Sequence, residues 1–447
     1  MIAPIEGGSN EASDILCDRG NMLKQKEIKI KGDEEPKLRV RSEVIHGAPL
    51  KDQYDSIVMP VYRTTIFGFK SSEELFEREA NVVSGKRDDE FTYMRVGSPT
   101  NDALERRLAK LESAESCVVT ASGMGAISTV MWTFLKQGDH VLADTTLYSG
   151  TRVLLGELLT KFGVEVDFVD FNDLGLLRKS LKPNTVIVFF ESPYNPVLKI
   201  NDIAQIAKIV HSYKKDIRMV FDNTFATPYL QNPLLLGADI VVHSITKYIG
   251  GHSDVMAGCV LGSKEDMRKI RFTGVENATG AVMSPDNAYL ALRGLCTLPI
   301  RMDQQCKNAM KIAQYLEKSP HISKVYYPGL ESFPGHETAK KQMRDFGGIV
   351  SFEVKTSPEQ MKRFVNGLKL IKIAGSLGGV ETVIEHPVSM SHSSYTPEQL
   401  AESGITLNQF RLSVGIEDVR DLIDDLEKSF ENSVSRQVSI RGKKLIK

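Results

Sequence analysis

The stretch from Val220 to Gly258, VFDNTFATPYLQNPLLLGADIVVHSITKYIGGHSDVMAG, carries the residues with the most pointed chemistry. One strand-like run ends in Asp222, and the next, Ile240-Val-Val-His243, leads into Ser244-Ile-Thr-Lys247 and then Gly250-Gly251. In a parallel sheet the strand C-termini form the ligand crevice, so an aspartate and a lysine at two such ends face one bound molecule. A lysine amine forms a Schiff base with an aldehyde cofactor when enough of it is uncharged. A buried carboxylate holds a ring nitrogen protonated and keeps the ring an electron sink. Pyridoxal phosphate needs both. A single lysine near a strand end is most often a solvated charge, and Asp-Asn-Thr is a common turn or helix cap. Their joint occurrence, with the hydroxyls of Ser244 and Thr246 close by, favours the chemical reading.

A phosphate-bearing cofactor also needs an anion site. Thr120-Ala-Ser-Gly-Met-Gly125 lies where a strand turns into a helix. Backbone N–H groups at Ser122, Gly123 and Met124 would there face an anion at the positive end of the helix dipole. Alone this is a weak signal, because any tight strand-to-helix turn favours Ser and Gly.

The elements that must position these residues can be read from periodicity. Asn101 to Glu112 places Leu104, Leu108 and Leu111 at helical spacing, and a second helix follows over AISTVMWTFL. Strand candidates are Cys117–Thr120, His140–Ala143, Val164–Phe168, Val186–Phe190, Arg218–Phe221 and Ile240–His243, with helical stretches such as IAQIAKIVHSY between them. Strands alternating with helices predict an α/β domain with a mostly parallel sheet covered on both faces. Beyond residue 300 the style changes to a smaller α+β domain: a helix over QQCKNAMKIAQYLEKS, strands at Val325–Tyr327 and Ile349–Val354, and helices over PEQMKRFVNGL and VRDLIDDLEKSF.

Composition narrows the function classes. The 447 residues are 41% hydrophobic and 25% charged, ordinary globular usage. With 56 basic and 57 acidic residues the net charge is −1, which gives no long-range field to gather nucleic acid or an anionic membrane. Cys17, Cys117, Cys259, Cys296 and Cys306 are odd in number and lack C-x-x-C spacing, so free thiols are expected, with neither a disulfide framework nor a metal site. No apolar run approaches the ~18 residues that cross a bilayer. Residues 1–40 are polar and mixed in charge and read as a disordered extension, with neither the apolar centre of a signal peptide nor the acid-poor composition of a transit peptide, so the expectation is cytoplasmic. The basic end from Arg436 to Lys447 reads as a solvated tail.

With these residues in place, the chain resembles the Cys/Met-metabolism family of pyridoxal-phosphate enzymes over roughly residues 41 to 430. The resemblance rests on Tyr93-Met-Arg-Val-Gly-Ser-Pro-Thr100, Glu191-Ser-Pro-Tyr-Asn-Pro196, the block from Asp222 to Asp254, Ser376-Leu-Gly-Gly379 and Arg411-Leu-Ser-Val-Gly-Ile-Glu-Asp418. It implies a pyridoxal-phosphate-dependent transferase fold of type I, like aspartate aminotransferase. The implied division is an arm over 41–98, a cofactor-binding domain over 99–298 and a C-terminal domain over 299–447. The family implies Lys247 as the Schiff-base lysine and proton shuttle, Asp222 on the pyridinium nitrogen, and Tyr148 stacked on the ring and aiding proton transfer. It further implies Ser122, Gly123, Met124, Ser244 and Thr246 around the phosphate, Asn195 near the ring 3-oxygen, and Arg411 with Ser376 on the substrate carboxylate. Tyr93 and Arg95 would reach the active site of a neighbouring subunit, which implies a homodimer or homotetramer with shared sites.

The implied activity is making or breaking C–S bonds of sulfur amino acids by γ-replacement or γ-elimination. The stretches YYPGLESFPGHETAKKQM and FGGIVSFEV are similar to plant-type cystathionine γ-synthases, which puts the joining of an O-activated homoserine to cysteine first. Gly150-Thr151 and the absence of Cys at 150 lean away from methionine γ-lyases, while Gly375 before Ser376 differs from bacterial γ-synthases and animal γ-lyases. Cystathionine γ-lyase, methionine γ-lyase, O-acetylhomoserine sulfhydrylase and cystathionine β-lyase stay open. From other classes, an aminotransferase would share Lys247 and Asp222 but not the Tyr93/Arg95 and Ser376 motifs, and a non-catalytic cofactor-binding regulator would be expected to lose Lys247, Tyr148 or Arg411.

Overall fold

Strand polarity decides where the crevice lies. A computed structural model of the chain describes residues 38–47, 54, 56–85, 90–393 and 395–435. Residues 1–37 of the expected extension, Cys17 with them, and the basic tail from 436 lie outside the described residues. Seven strands form the first sheet: β1 (Ser116–Thr120), β2 (His140–Asp144), β3 (Glu165–Val169), β4 (Thr185–Glu191), β5 (Arg218–Asp222), β6 (Ile240–His243) and β7 (Gly258–Gly262). Their order is β1-β7-β6-β5-β4-β2-β3. The ladders β2·β3, β2·β4, β4·β5 and β5·β6 are parallel, whereas β7 runs antiparallel to both β6 and β1. Six of these strands match runs read from the sequence. β7 does not, because Gly-Cys-Val-Leu-Gly offers three apolar residues between glycines, too short a pattern to separate from a loop.

Alternate residues of each strand enter opposite cores. In β4, Ile187 and Phe189 pack with Ala126, Ile127, Val130 and Met131 on one face, while Val188 and Phe190 pack with Leu104, Leu108 and Ile206 on the other. Burial on both faces is why the strands read as nearly continuous apolar runs. The helices that carry these partners are α3 (Pro99–Glu112), α4 (Gly123–Phe134) and, later, Ile203–Tyr213; α1 (Val40–His46) and α2 (Ser72–Ser84) precede them in the chain. Ser98 caps α3 by accepting the Asn101 N–H, and Pro99 opens its first turn, where its missing donor costs nothing.

The second sheet has five strands, β8 (Ile322–Tyr326), β9 (Ile349–Val354), β10 (Lys372–Ile373), β11 (Val383–Glu385) and β12 (Gln409–Ser413), ordered β10-β11-β12-β9-β8. All its ladders are antiparallel except β10·β11. Helices Pro358–Gly367 and Val419–Ser435 cover it, and Phe364 stacks on Phe430 with ring centroids 4.2 Å apart. The three strands β10 to β12 went unread in the sequence: β10 and β11 have only two and three residues, and β12, Gln-Phe-Arg-Leu-Ser, lacks the continuous apolar run that marked the others. The 298/299 boundary falls at the start of helix Leu298–Lys318. Cys117, Cys259, Cys296 and Cys306 are free thiols. No helix among the described residues is long and apolar enough to cross a membrane.

Candidate active site

Asp222 is the last residue of β5 and Lys247 follows β6 by four residues, so the parallel pair delivers both to one end of the sheet. The Thr224 N–H donates to Asp222 Oδ1 at 2.9 Å, and Thr224 Oγ1 in turn accepts the Ser244 N–H at 2.8 Å. One threonine thus ties the aspartate to the loop that carries the lysine. Burial pushes the Asp222 carboxyl up, while the Thr224 hydrogen bonds and the charges of His243 and Lys247 pull it back.

Lys247 Nζ donates to Ser376 Oγ at 2.6 Å. Burial first, then the charge of Arg411, pushes this amine down to about 8, against the opposing pull of Glu385 and Asp222. An amine that sheds its proton near neutral pH is a competent nucleophile and base. In protein freed of cofactor, labelling of Lys247 by an amine-directed reagent, followed by peptide mass spectrometry, is expected to accelerate with pH and level off above about 8. A rate still climbing toward the ordinary lysine value of 10.5 would contradict this environment.

Ser376 sits at φ +71° and meets both charged groups: its hydroxyl takes the lysine and its carbonyl accepts from Arg411 Nη2 at 2.6 Å. Arg411, on β12, also donates through Nη1 to Asn195 Oδ1 at 2.8 Å and pairs with Glu385 Oε1 at 3.0 Å. Glu385 lies directly opposite it in the β11·β12 ladder, and both side chains are buried. Burial lowers the Arg411 pKa and Glu385 opposes the shift. Arg411 Nε is buried with no partner among the described residues, which leaves one donor of a fixed fork for a ligand carboxylate.

The turn into α4 forms the second half of the site. Ser122 Oγ accepts the Gly125 N–H at 2.9 Å and so caps the helix. The N–H groups of Gly123 and Met124 lie in the first turn, where no intrahelical carbonyl exists for them. A Cβ on Gly123 would lie 2.8 Å from Ser244 Cβ, and one on Gly258 would collide with the Ser122 carbonyl. Glycine at both places lets the α4 turn, the loop after β6 and the start of β7 close up on each other. Thr246 spends its hydroxyl on β7's approach, donating to the Ala257 carbonyl at 3.1 Å and accepting the Ala257 N–H at 2.9 Å.

Tyr148 is 42% exposed, and its ring and Met124 Sδ both crowd the space a side chain at Gly150 would need. Its N–H donates to Glu191, a buried carboxyl at the end of β4 whose ladder partner is Asp222. Burial, then the charges of Asp222 and Asp144, push the Glu191 carboxyl well up, against the pull of the Tyr148 N–H. The structure therefore brings Lys247, Asp222, Ser376, Arg411 and Asn195 together, and Ser122, Gly123, Met124, Ser244 and Tyr148 beside them. Tyr93 and Arg95 stand apart: Tyr93 bridges to Ile66, and the Arg95 guanidinium lies 5.1 Å above the Tyr93 ring. Glu385 and Glu191 were missed in the sequence. Glu385 ends a three-residue strand, and only the ladder register reveals its partner; Glu191 was quoted in its motif but given no role.

A crevice at parallel strand ends, with a lysine of low basicity, a carboxylate and a helix-capped anion turn, defines a pyridoxal-phosphate-dependent enzyme of the aminotransferase-like fold. Comparison with known proteins gives the family. A model described as Cys/Met metabolism PLP-dependent enzyme matches residues 41–431, and the chain belongs to that family. An L-methionine gamma-lyase of Fusobacterium nucleatum subsp. polymorphum is 49% identical over 398 residues, which is 89% of this chain and 99% of that protein. A cystathionine beta-lyase of Lactococcus lactis subsp. cremoris is 43% identical over 394 residues, 88% of this chain and 99% of that one. Among solved structures, metB from Corynebacterium glutamicum superposes with a TM-score of 0.81 at 40% identity, covering 89% of this chain and 98% of that one.

The chain is thus an enzyme of sulfur amino-acid metabolism that uses pyridoxal 5'-phosphate and acts on small amino acids. The donor set suits that cofactor: an amine of lowered basicity, a carboxylate at the neighbouring strand end, an anion turn closed by two glycines, and a guanidinium with a spare donor.

Proposed function

We propose that this enzyme eliminates the γ-substituent of sulfur amino acids, acting as a methionine γ-lyase. The observation that carries the C–S lyase reading is the convergence of Lys247 Nζ, Ser376 Oγ and the Arg411 fork on the Asp222 strand end. The choice of γ-elimination is supported by the 49% identity to a methionine γ-lyase over nearly the whole chain. The comparisons thus move weight from the joining reaction, which the sequence put first, to the splitting one.

Bound pyridoxal phosphate supplies an aldehyde for the amine and a protonated ring that accepts the electron pair left at Cα. Lys247 would hold the aldehyde and, once displaced by substrate, take the proton from Cα and move one at Cβ. Its low basicity fits that task at neutral pH. Asp222 would keep the ring nitrogen protonated. Ser122, Gly123, Met124 and Ser244 would hold the phosphate, the first three at the helix N-terminus, whereas Thr246, expected there from the sequence, has its hydroxyl committed to Ala257 and would brace the loop instead. Asn195, already fixed by Arg411, would meet the ring oxygen. Arg411 and Ser376 would orient the substrate carboxylate, which sets Cα–H toward the lysine. Tyr148 would stack on the ring and aid proton transfer to the departing sulfur. Residues 41–98 form, in this reading, an arm that brings Tyr93 and Arg95 to a neighbouring subunit, so that the working unit is at least a dimer.

The test is a product assay. Methionine with the purified enzyme is expected to give 2-oxobutanoate, methanethiol and ammonia in equal amounts. Predominant pyruvate from cystathionine would favour β-elimination, a reading that the 43% identical Lactococcus relative supports. Cystathionine formed from an O-activated homoserine and cysteine, with methionine left intact, would restore the γ-synthase reading.

A further inference from the structure

The turn that carries Tyr148 is held by its backbone, and its holders take no part in the mechanism above. β2 ends at Asp144, whose Oδ1 accepts from the Thr146 N–H at 3.2 Å and from Thr146 Oγ1 at 3.0 Å. Arg152 reaches back and donates to the Thr145 carbonyl at 2.8 Å. The Leu147–Tyr148 peptide is gripped at both polar ends. Its N–H donates to Oε1 of Glu191 at the end of β4, and its carbonyl accepts from the Tyr395 hydroxyl at 3.0 Å. Leu147 and Glu191 are both buried, so losing either partner leaves a polar group unpaired away from water. Tyr395 comes from the distant part of the chain, after β11 and just before helix Pro397–Glu402. Its ring is fixed in turn by the Arg152 guanidinium, 5.6 Å from its centroid, and by an edge contact with His392 at 5.0 Å.

We infer that Tyr395 and Glu191 are positioning residues that act through Tyr148: together they lock the Leu147–Tyr148 peptide plane and so hold the phenol where it stacks on the cofactor ring and serves proton transfer. The inference rests on that proposed role of Tyr148. A half-exposed ring gains little orientation from packing, so its direction follows from the backbone in front of it. Tyr148 sits at φ −50° and ψ 134°, and a Cβ on Gly150 would lie 2.7 Å from its Cε1, so the ring lies against its own chain. Rotating the peptide plane in front of Tyr148 would change φ and swing the ring off that seat. The sheet places the clamp on the correct side. Glu191 and Asp222 are ladder partners, and Phe189 and Val220, two residues before each, share one core with Leu147. The face that carries the carboxylate assigned to the ring nitrogen therefore also carries the acceptor for the Tyr148 N–H.

The experiment is a double-mutant cycle on holoenzyme, read by steady-state kinetics with methionine and cystathionine and by circular dichroism of the bound cofactor's visible band. Tyr395→Phe removes one oxygen. It is expected to lower kcat about tenfold or more with KM within about threefold of wild type, and to weaken the dichroic band, because the phenol is misplaced while the Arg411 grip is untouched. Tyr148→Ala is expected to slow kcat at least as much. In that background, adding Tyr395→Phe should change neither kcat nor the band further, since the group it positions is gone. If Tyr395→Phe does not fold, Glu191→Gln is compared with Glu191→Met. Both lose the same charge beside Asp222, but only the amide keeps an oxygen for the Tyr148 N–H, so it should retain about fivefold more kcat. Wild-type kcat and dichroism in Tyr395→Phe, with or without a lower melting temperature, would overturn the inference and leave the role of Tyr148 standing. So would equal slowing by Tyr395→Phe in both backgrounds, or equal kcat in the two Glu191 variants. Unchanged kcat and dichroism in Tyr148→Ala would overturn both.

Discussion

Replacing Lys247 by alanine is expected to give folded protein with no covalently held chromophore absorbing near the edge of the visible, and with turnover of sulfur amino acids slowed by about 10³-fold or more. The side chain makes one hydrogen bond, to Ser376, so little packing is lost. Its pKa in the fold, about 8, lies below the 10.5 of a free lysine. A base whose folded pKa is lowered binds fewer protons when folded, so it costs stability below pH 8 and ceases to do so above the unfolded value. At pH 7 the alanine variant should therefore melt no lower than wild type. Absorption spectra, single-turnover assays and thermal melts check these three expectations. Retained C–S cleavage would remove Lys247 from the mechanism.

The second large effect is expected at Arg411. Arg411→Met should lower kcat/KM by about 10²- to 10³-fold, mainly through KM, because truncating a buried, hydrogen-bonded charge that meets a carboxylate costs about 3–4 kcal/mol. It should also lose stability, by about 3–5 kcal/mol, since Glu385 is left buried and unpaired. These two losses have separate causes. Adding Glu385→Gln to Arg411→Met is expected to return much of the melting temperature and none of the activity. Recovery of activity in the double variant would mean that Arg411 serves only to neutralise Glu385. Arg411→Lys should not rescue either, because an ammonium cannot reach Asn195, the Ser376 carbonyl and Glu385 with one planar fork.

The parts of this enzyme that could be read from sequence are those whose signal is local. Asp222 and Lys247 stood out because each ends or follows an apolar run, and strand-end geometry then required a shared crevice. The turn at Ser122 was legible for the same reason. The second sheet was legible only in β8 and β9: β11 is three residues long, and the meaning of Glu385 depends on a ladder partner, Arg411 on β12, that no spacing along the chain reveals. β7 hid between glycines whose value lies in contact, since Gly258 makes room for the Ser122 carbonyl. Glu112 and His243 looked like a helix-end acid and a strand residue until the fold put them 2.7 Å apart.

The Ser376 hydroxyl and carbonyl join the two halves of the catalytic crevice: Lys247 comes from the large sheet, Arg411 from the small one. In the proposed reading, changes confined to the small sheet and the loops that feed it would alter the grip on an amino acid while leaving the holder of the vitamin untouched.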